Sequence, residues 1–251
     1  MALFKSSNPA LGEDTFSKYG RSSDATDVMT INGTVNKIGI LLLLVVCSAV
    51  WTWKLFFVAN DINVVYPWIM TGAIGGFITA MITISKKEWA YITAPIYAIL
   101  EGFAIGGISA VYDAKYPGIV IQAALLTMTT LGALLFLYKT GVIKATENFK
   151  LIVGSATMGI ALLYLVQMIL GFFGVQVPYI HESGVIGIGF SLFVVSIAAL
   201  NLVMDFDFIE SGADEKNPAP KFLEWYAAFG LIVTLVWLYL EFLRLLSKLR
   251  D

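Results

Sequence analysis

The chain has 251 residues, of which 58% are hydrophobic and only 14% charged. A soluble domain of this size carries roughly a quarter of its residues as charged side chains, so this chain has too little polar surface to wet a globule and reads as an integral membrane protein. The formal net charge of −2 points to no charged partner, and no nucleic acid is expected; a single cysteine, Cys47, excludes a disulfide framework and a thiolate metal site, and a single histidine, His181, removes most zinc and triad chemistry.

Residues 1–34 are polar, with Pro9, Gly12, Gly20 and several Ser and Asp. They lack a short apolar core followed by a small-residue cleavage site, so they read as a soluble tail before a membrane domain at 35–251 and not as a signal peptide. A helix crosses the hydrocarbon core in about 20 residues. Seven segments satisfy this, at roughly 36–59, 64–84, 89–112, 118–138, 150–173, 184–209 and 224–247. These runs are too long and continuous for barrel strands. The expected fold class is an all-α integral membrane protein, a seven-transmembrane-helix bundle.

Basic residues stay on the cytoplasmic side. With the N-terminus inside, the inner segments hold Lys5, Lys18, Arg21, Lys37, Lys86, Lys87, Lys139, Lys144, Lys150, Lys216 and Lys221, and the outer segments hold Lys54, Lys115, Arg244, Lys248 and Arg250. The two sets, 11 and 5, account for all 16 Lys and Arg and favour a cytoplasmic N-terminus, although "RLLSKLR" then lies outside.

Small residues let helices approach closely in lipid. Gly72 and Gly76 in the second span, Gly102 and Gly106 in the third, and "GVIGIGF" at 184–190 all read as packing positions. Pro67 and Pro95 fall in the first turns of their helices, where a missing N–H costs little.

The acids carry the functional argument. A charge at the depth of Glu101, in "YAILEGFAIGG" of the third span, costs roughly 3 kcal/mol or more. Glu101 therefore faces the bundle interior, either as a neutral carboxyl bonded to a neighbouring helix or as a station on an ion or proton path. In the sixth span Gly187, Ser191, Ala198, Asn201 and Asp205 share one narrow, small and polar face. Asp205 thus points at other helices or at a wet cavity. Asp207 projects about 200° away from it, and with Glu210 reads as the solvated end of the helix. In the last span Gly230, Thr234, Trp237, Glu241, Arg244 and Lys248 form a stripe, and the i,i+3 spacing lets Glu241 pair with Arg244. Glu224 is an acid in a first helical turn, facing the helix dipole.

The chain resembles the Bax inhibitor family of membrane proteins, its bacterial Bax-inhibitor-like branch in particular. The resemblance covers most of the chain and rests on "NPAL" with "DTF" in the tail, "PIYAILEG" in the third span, "LVMDFDFIESG" closing the sixth, and "EWYAAFGLIVTLVWLYLEFLRLL" in the last. It implies a bundle whose last helix is central, lying in the bacterial inner membrane. It also implies a pH-sensitive calcium leak controlled by two aspartates on the sixth and seventh helices. The first matches Asp205; the second falls on Glu241, where "LYLEF" stands for the usual "LYLDF". Calcium would then meet Asp205 and Glu241 as oxygen ligands, and two close carboxylates would share a proton in acid. Helical register argues against direct pairing. Asp205 lies opposite roughly residue 232, which leaves Glu241 about 13 Å farther along, so Glu101 and Asp207 are the other candidate partners.

Two functions follow. One is a passive pH-gated cation pathway using Asp205, Glu241, Glu101 and Asp207, with calcium and protons as partners and no cofactor beyond calcium. The other is a non-conducting regulator that binds membrane proteins such as a quality-control protease through its tail. An enzyme is not expected, because His181 sits in the loop "VPYIHESG" and not on a helix; no half-helix pair marks a transporter's substrate site.

Overall fold

In the computed structural model, residues 27–174, 183–214 and 216–251 are described. The expected tail up to residue 26 and His181 lie outside them. The described residues form seven long helices: α1 (Ile31–Ala59), α2 (Ile62–Ser85), α3 (Ala90–Lys115), α4 (Ile119–Lys139), α5 (Glu147–Phe172), α6 (Val185–Gly212) and α7 (Leu223–Arg250). One 3-10 turn, Lys87–Trp89, precedes α3. All seven spans are long and apolar enough to cross a membrane, each in the place the hydropathy pattern set. The last helix is the most buried, with 67% of its most apolar stretch covered against 17% for α2 and for α5.

Local chemistry fixes the ends. The Thr30 hydroxyl accepts from the Gly33 amide and starts α1 five residues before the expected span begins, because Asn32, Gly33 and Thr34 are not apolar but are helical. Asn60 closes α1 in the left-handed region (φ 51°), and Asp61 caps α2 by accepting from the Asn63 amide at 2.9 Å. Thr146 caps α5. Pro67 and Pro95 each stand sixth in their helix, in the second turn and not the first, so each removes one backbone bond close to a helix end.

By internal contacts the described residues divide into two compact units, one holding residues 27–120 and 207–233, the other those of 121–206 and 234–251. In the former, α3 packs against both α1 and α2. A Cβ on Gly102 would overlap the Ser48 hydroxyl and the Val45 carbonyl; one on Gly106 would overlap the Ala49 backbone. Both glycines are therefore packing positions, as their spacing indicated. Phe56, Val65 and Ala110 form an apolar core there, and the rings of Tyr97 and Phe229 meet edge to face at 4.9 Å. Cys47 lies on the exposed face of α1.

In the latter unit Ile160, Val194 and Ile197 form a core on which Tyr164 and Trp237 pack. The packing expected of "GVIGIGF" fails at Gly184 and Gly189, which have nothing within 4 Å of where a Cβ would stand.

Candidate functional site: a column of polar side chains

Every residue of the polar face expected on α6 is buried: Gly187, Ser191, Ala198, Asn201 and Asp205, the last only 1% exposed. Glu241 on α7 is also 1% exposed. Its Oε1 accepts from three donors, Arg244 Nη1 at 2.6 Å, Tyr164 OH at 3.0 Å and Trp237 Nε1 at 3.2 Å. Arg244 also donates to the Tyr164 hydroxyl at 2.8 Å and lies 5.2 Å from that ring's centre, a charge-assisted cluster reinforced by a cation–π contact. Glu241 Oε2 is buried without a hydrogen bond among the described residues. The i,i+3 pair anticipated between Glu241 and Arg244 is thus present, with α5 joining it.

One turn farther along α7, Lys248 is 5% exposed and donates to the Gly187 carbonyl at 3.0 Å and the Ser191 hydroxyl at 2.9 Å. On α6, the Asn201 amide donates to Thr157 Oγ1 of α5 and to its own helix at Ile197 O, both at 2.8 Å. An interhelical bond of this kind contributes about 1 kcal/mol in a membrane protein. Asn201→Leu is expected to lose about that much on denaturant unfolding in micelles, with Thr157→Val losing the same and the double variant little more.

These contacts set the register. Consecutive spans run antiparallel, so Lys248 at the level of 187–191 puts Glu241 level with 194–198. Asp205 lies 7–11 residues beyond that level, roughly 10–17 Å at 1.5 Å per residue. Asp205 and Glu241 therefore stand at different levels of their helices and do not hydrogen-bond to each other. The direct pair that the resemblance implied is replaced by separate layers: Lys248 with Ser191, then Arg244, Tyr164 and Glu241, then Thr157 with Asn201, then Asp205. Among the described residues no group of three or more His, Cys, Asp or Glu side chains could hold a metal ion together. Calcium, which takes six to eight oxygen ligands, would here meet carboxylates one at a time.

The remaining acids separate cleanly. Glu210 is exposed and Asp207 half-buried, in keeping with a helix end meeting water. Glu101 is half-buried on α3, its carboxyl set against Gly76 of α2, where an added Cβ would stand 3.0 Å from Oε2. Gly76 thus makes room for an acid, a role its spacing with Gly72 did not reveal. Glu224, in the first turn of α7, is fully buried and ion-paired with Lys37, which is more than an acid meeting a helix dipole.

Tyr164 and Thr157 were missed from sequence. Thr157, Ile160, Tyr164 and Gln167 fall at i, i+3, i+7 and i+10 on α5, so the periodicity applied to α6 and α7 would have found them on the fifth helix too.

No curated protein and no solved structure matched the chain. The sequence model of the family described as "Bax inhibitor 1 like" matches residues 8–251, essentially the whole chain. With seven membrane-spanning helices and that match, the chain belongs to the Bax inhibitor 1-like family of integral membrane proteins.

Proposed function

We propose that this protein is a passive, pH-sensitive cation pathway, with calcium as cargo and no enzymatic step. The observation that supports it most is the buried polar column on α5, α6 and α7, which puts two carboxylates, Asp205 and Glu241, at separate depths. Ionisable groups inside a membrane are retained where they serve an ion or proton path. A cation stripped of water needs successive oxygens. The column offers the Asp205 carboxylate, the Asn201 and Thr157 side chains, the Tyr164 hydroxyl and the Glu241 carboxylate in that order. Arg244 already occupies the positive seat at Glu241 Oε1, so that layer is closed as it stands and opens when the guanidinium leaves. Proton gain by a carboxylate of the path removes the charge a cation requires, which makes flux fall in acid.

The N-terminus is proposed to be cytoplasmic, in a bacterial inner membrane. The supporting observation is the count of Lys and Arg, 11 in the segments that would then face inward against 5 in those facing outward.

Purified protein in liposomes is expected to release calcium faster at neutral than at acid pH, and Asp205→Asn to flatten that dependence. Should Asp205→Asn and Glu241→Gln both leave flux and its pH profile unchanged, the column is not the path. No flux at all would favour a non-conducting regulator that binds other membrane proteins.

A further inference from the structure

Glu224 has no place in the polar column, yet it is 0% exposed. Its Oε1 accepts from the Thr30 amide and the Thr30 hydroxyl, both at 2.9 Å, and its Oε2 is ion-paired with Lys37. Thr30 is at the same time the N-cap of α1, its hydroxyl accepting from the Gly33 amide at 3.0 Å. A Cβ on Gly33 would overlap the Glu224 carboxylate, which would have to leave its place to admit one. Lys37 also lies 5.5 Å from the Trp225 ring centre.

The segment before α1 is tied into the same place through its backbone. Val28 and Pro220 form an antiparallel bridge, in which the Met29 amide donates to Ala219 O at 2.7 Å and the Lys221 amide to Asp27 O at 3.1 Å. The Ala219 amide in turn donates to Gly212 O, the last residue of α6, at 2.9 Å. Met29 and Ala219 are buried at 1% and 4% exposure.

We infer that Glu224, Thr30, Lys37 and the Val28–Pro220 bridge are one latch, which fastens the start of α1, the end of α6 and the start of α7 and opens as a unit. Cooperativity follows from burial. A carboxylate with three donors is stable out of water, but once Thr30 or Lys37 leaves, the charge stays desolvated and under-satisfied. The favourable alternative is for water to enter and the whole knot to part. Displacement of Asp27–Thr30, from whichever side, is thereby transmitted to the first turn of the most buried helix. This holds whether or not ions pass through the protein.

Hydrogen–deuterium exchange on the full chain in lipid nanodiscs tests it. In Glu224→Gln the amides of Met29, Thr30, Ala219 and Lys221 are expected to exchange faster together, by about tenfold or more, as the loss of one charge-assisted bond allows. Amides of α5 are expected to keep their rates. Gly33→Ala, which leaves every charge in place but crowds the carboxylate, is expected to produce the same joint acceleration and serves if Glu224→Gln does not fold. Acceleration confined to Thr30, with Met29 and Lys221 unchanged, would show a helix cap and no latch, and would overturn the inference.

Discussion

Arg244→Met is expected to destabilise the protein by about 2–3 kcal/mol, measured as unfolding in detergent–lipid micelles, and Glu241→Gln added to it is expected to return most of that loss. The single change strands a buried carboxylate. Removing one partner of a fully buried pair costs about 3–5 kcal/mol, and the figure is lowered here because the Arg244 side chain is 32% exposed and partly screened. Tyr164 and Trp237 still donate to Glu241 in the single variant, but two neutral donors do not replace a guanidinium at 2.6 Å. In the double variant a neutral amide carbonyl accepts those two donors and no charge remains to be compensated. If the single and double variants agree within about 0.5 kcal/mol, the ion pair does not hold α7 in place.

Gly106→Ala is expected to destabilise the protein by about 3 kcal/mol or more. The new Cβ would stand against the carbonyl oxygen, Cα and carbonyl carbon of Ala49. Backbone in a helix cannot rotate aside as a side chain can, so α1 and α3 would have to separate. Gly39→Ala, the same chemical change on α1 where nothing lies within 4 Å, is the matched control. It is expected to be neutral or to stabilise by up to about 1 kcal/mol through helix propensity. Equal thermal shifts for the two variants would mean that the close approach of α1 and α3 is not what holds them.

The contrast between those residues tells how much of the molecule the sequence spells out. Span placement was legible because hydropathy is a one-dimensional property, and each helix follows the apolar run that encodes it. The inward faces of α6 and α7 were legible for a related reason: small and polar residues at helical spacing have only one direction in which to be satisfied. Glu241 with Arg244 sits one turn apart on one helix, so their pairing could be read locally. Thr30 and Glu224 are different. They are separated by 194 positions, and nothing near either residue announces the other. Gly76 shows the same limit: its spacing with Gly72 suggested helix packing, whereas its role is set by the acid on the facing helix. The distance between Asp205 and Glu241 depended on interhelical register, which hairpin arithmetic estimated at about 13 Å and the Lys248 contacts support. The start of α1 was missed because its first turns are polar, and hydropathy does not register a helix that begins in water.

Cys47 lies on the uncovered side of α1, twelve residues before that helix ends at Ala59, or roughly 18 Å along its axis. In a bilayer this thiol faces acyl chains near mid-depth. A maleimide confined to water has no route to it, while one dissolved in lipid meets it directly. Because the sequence contains no second thiol, a single fluorophore or nitroxide attached there reports insertion depth for the whole chain without any engineering, and quenching by lipid-soluble oxygen in place of an aqueous nickel chelate gives the reading.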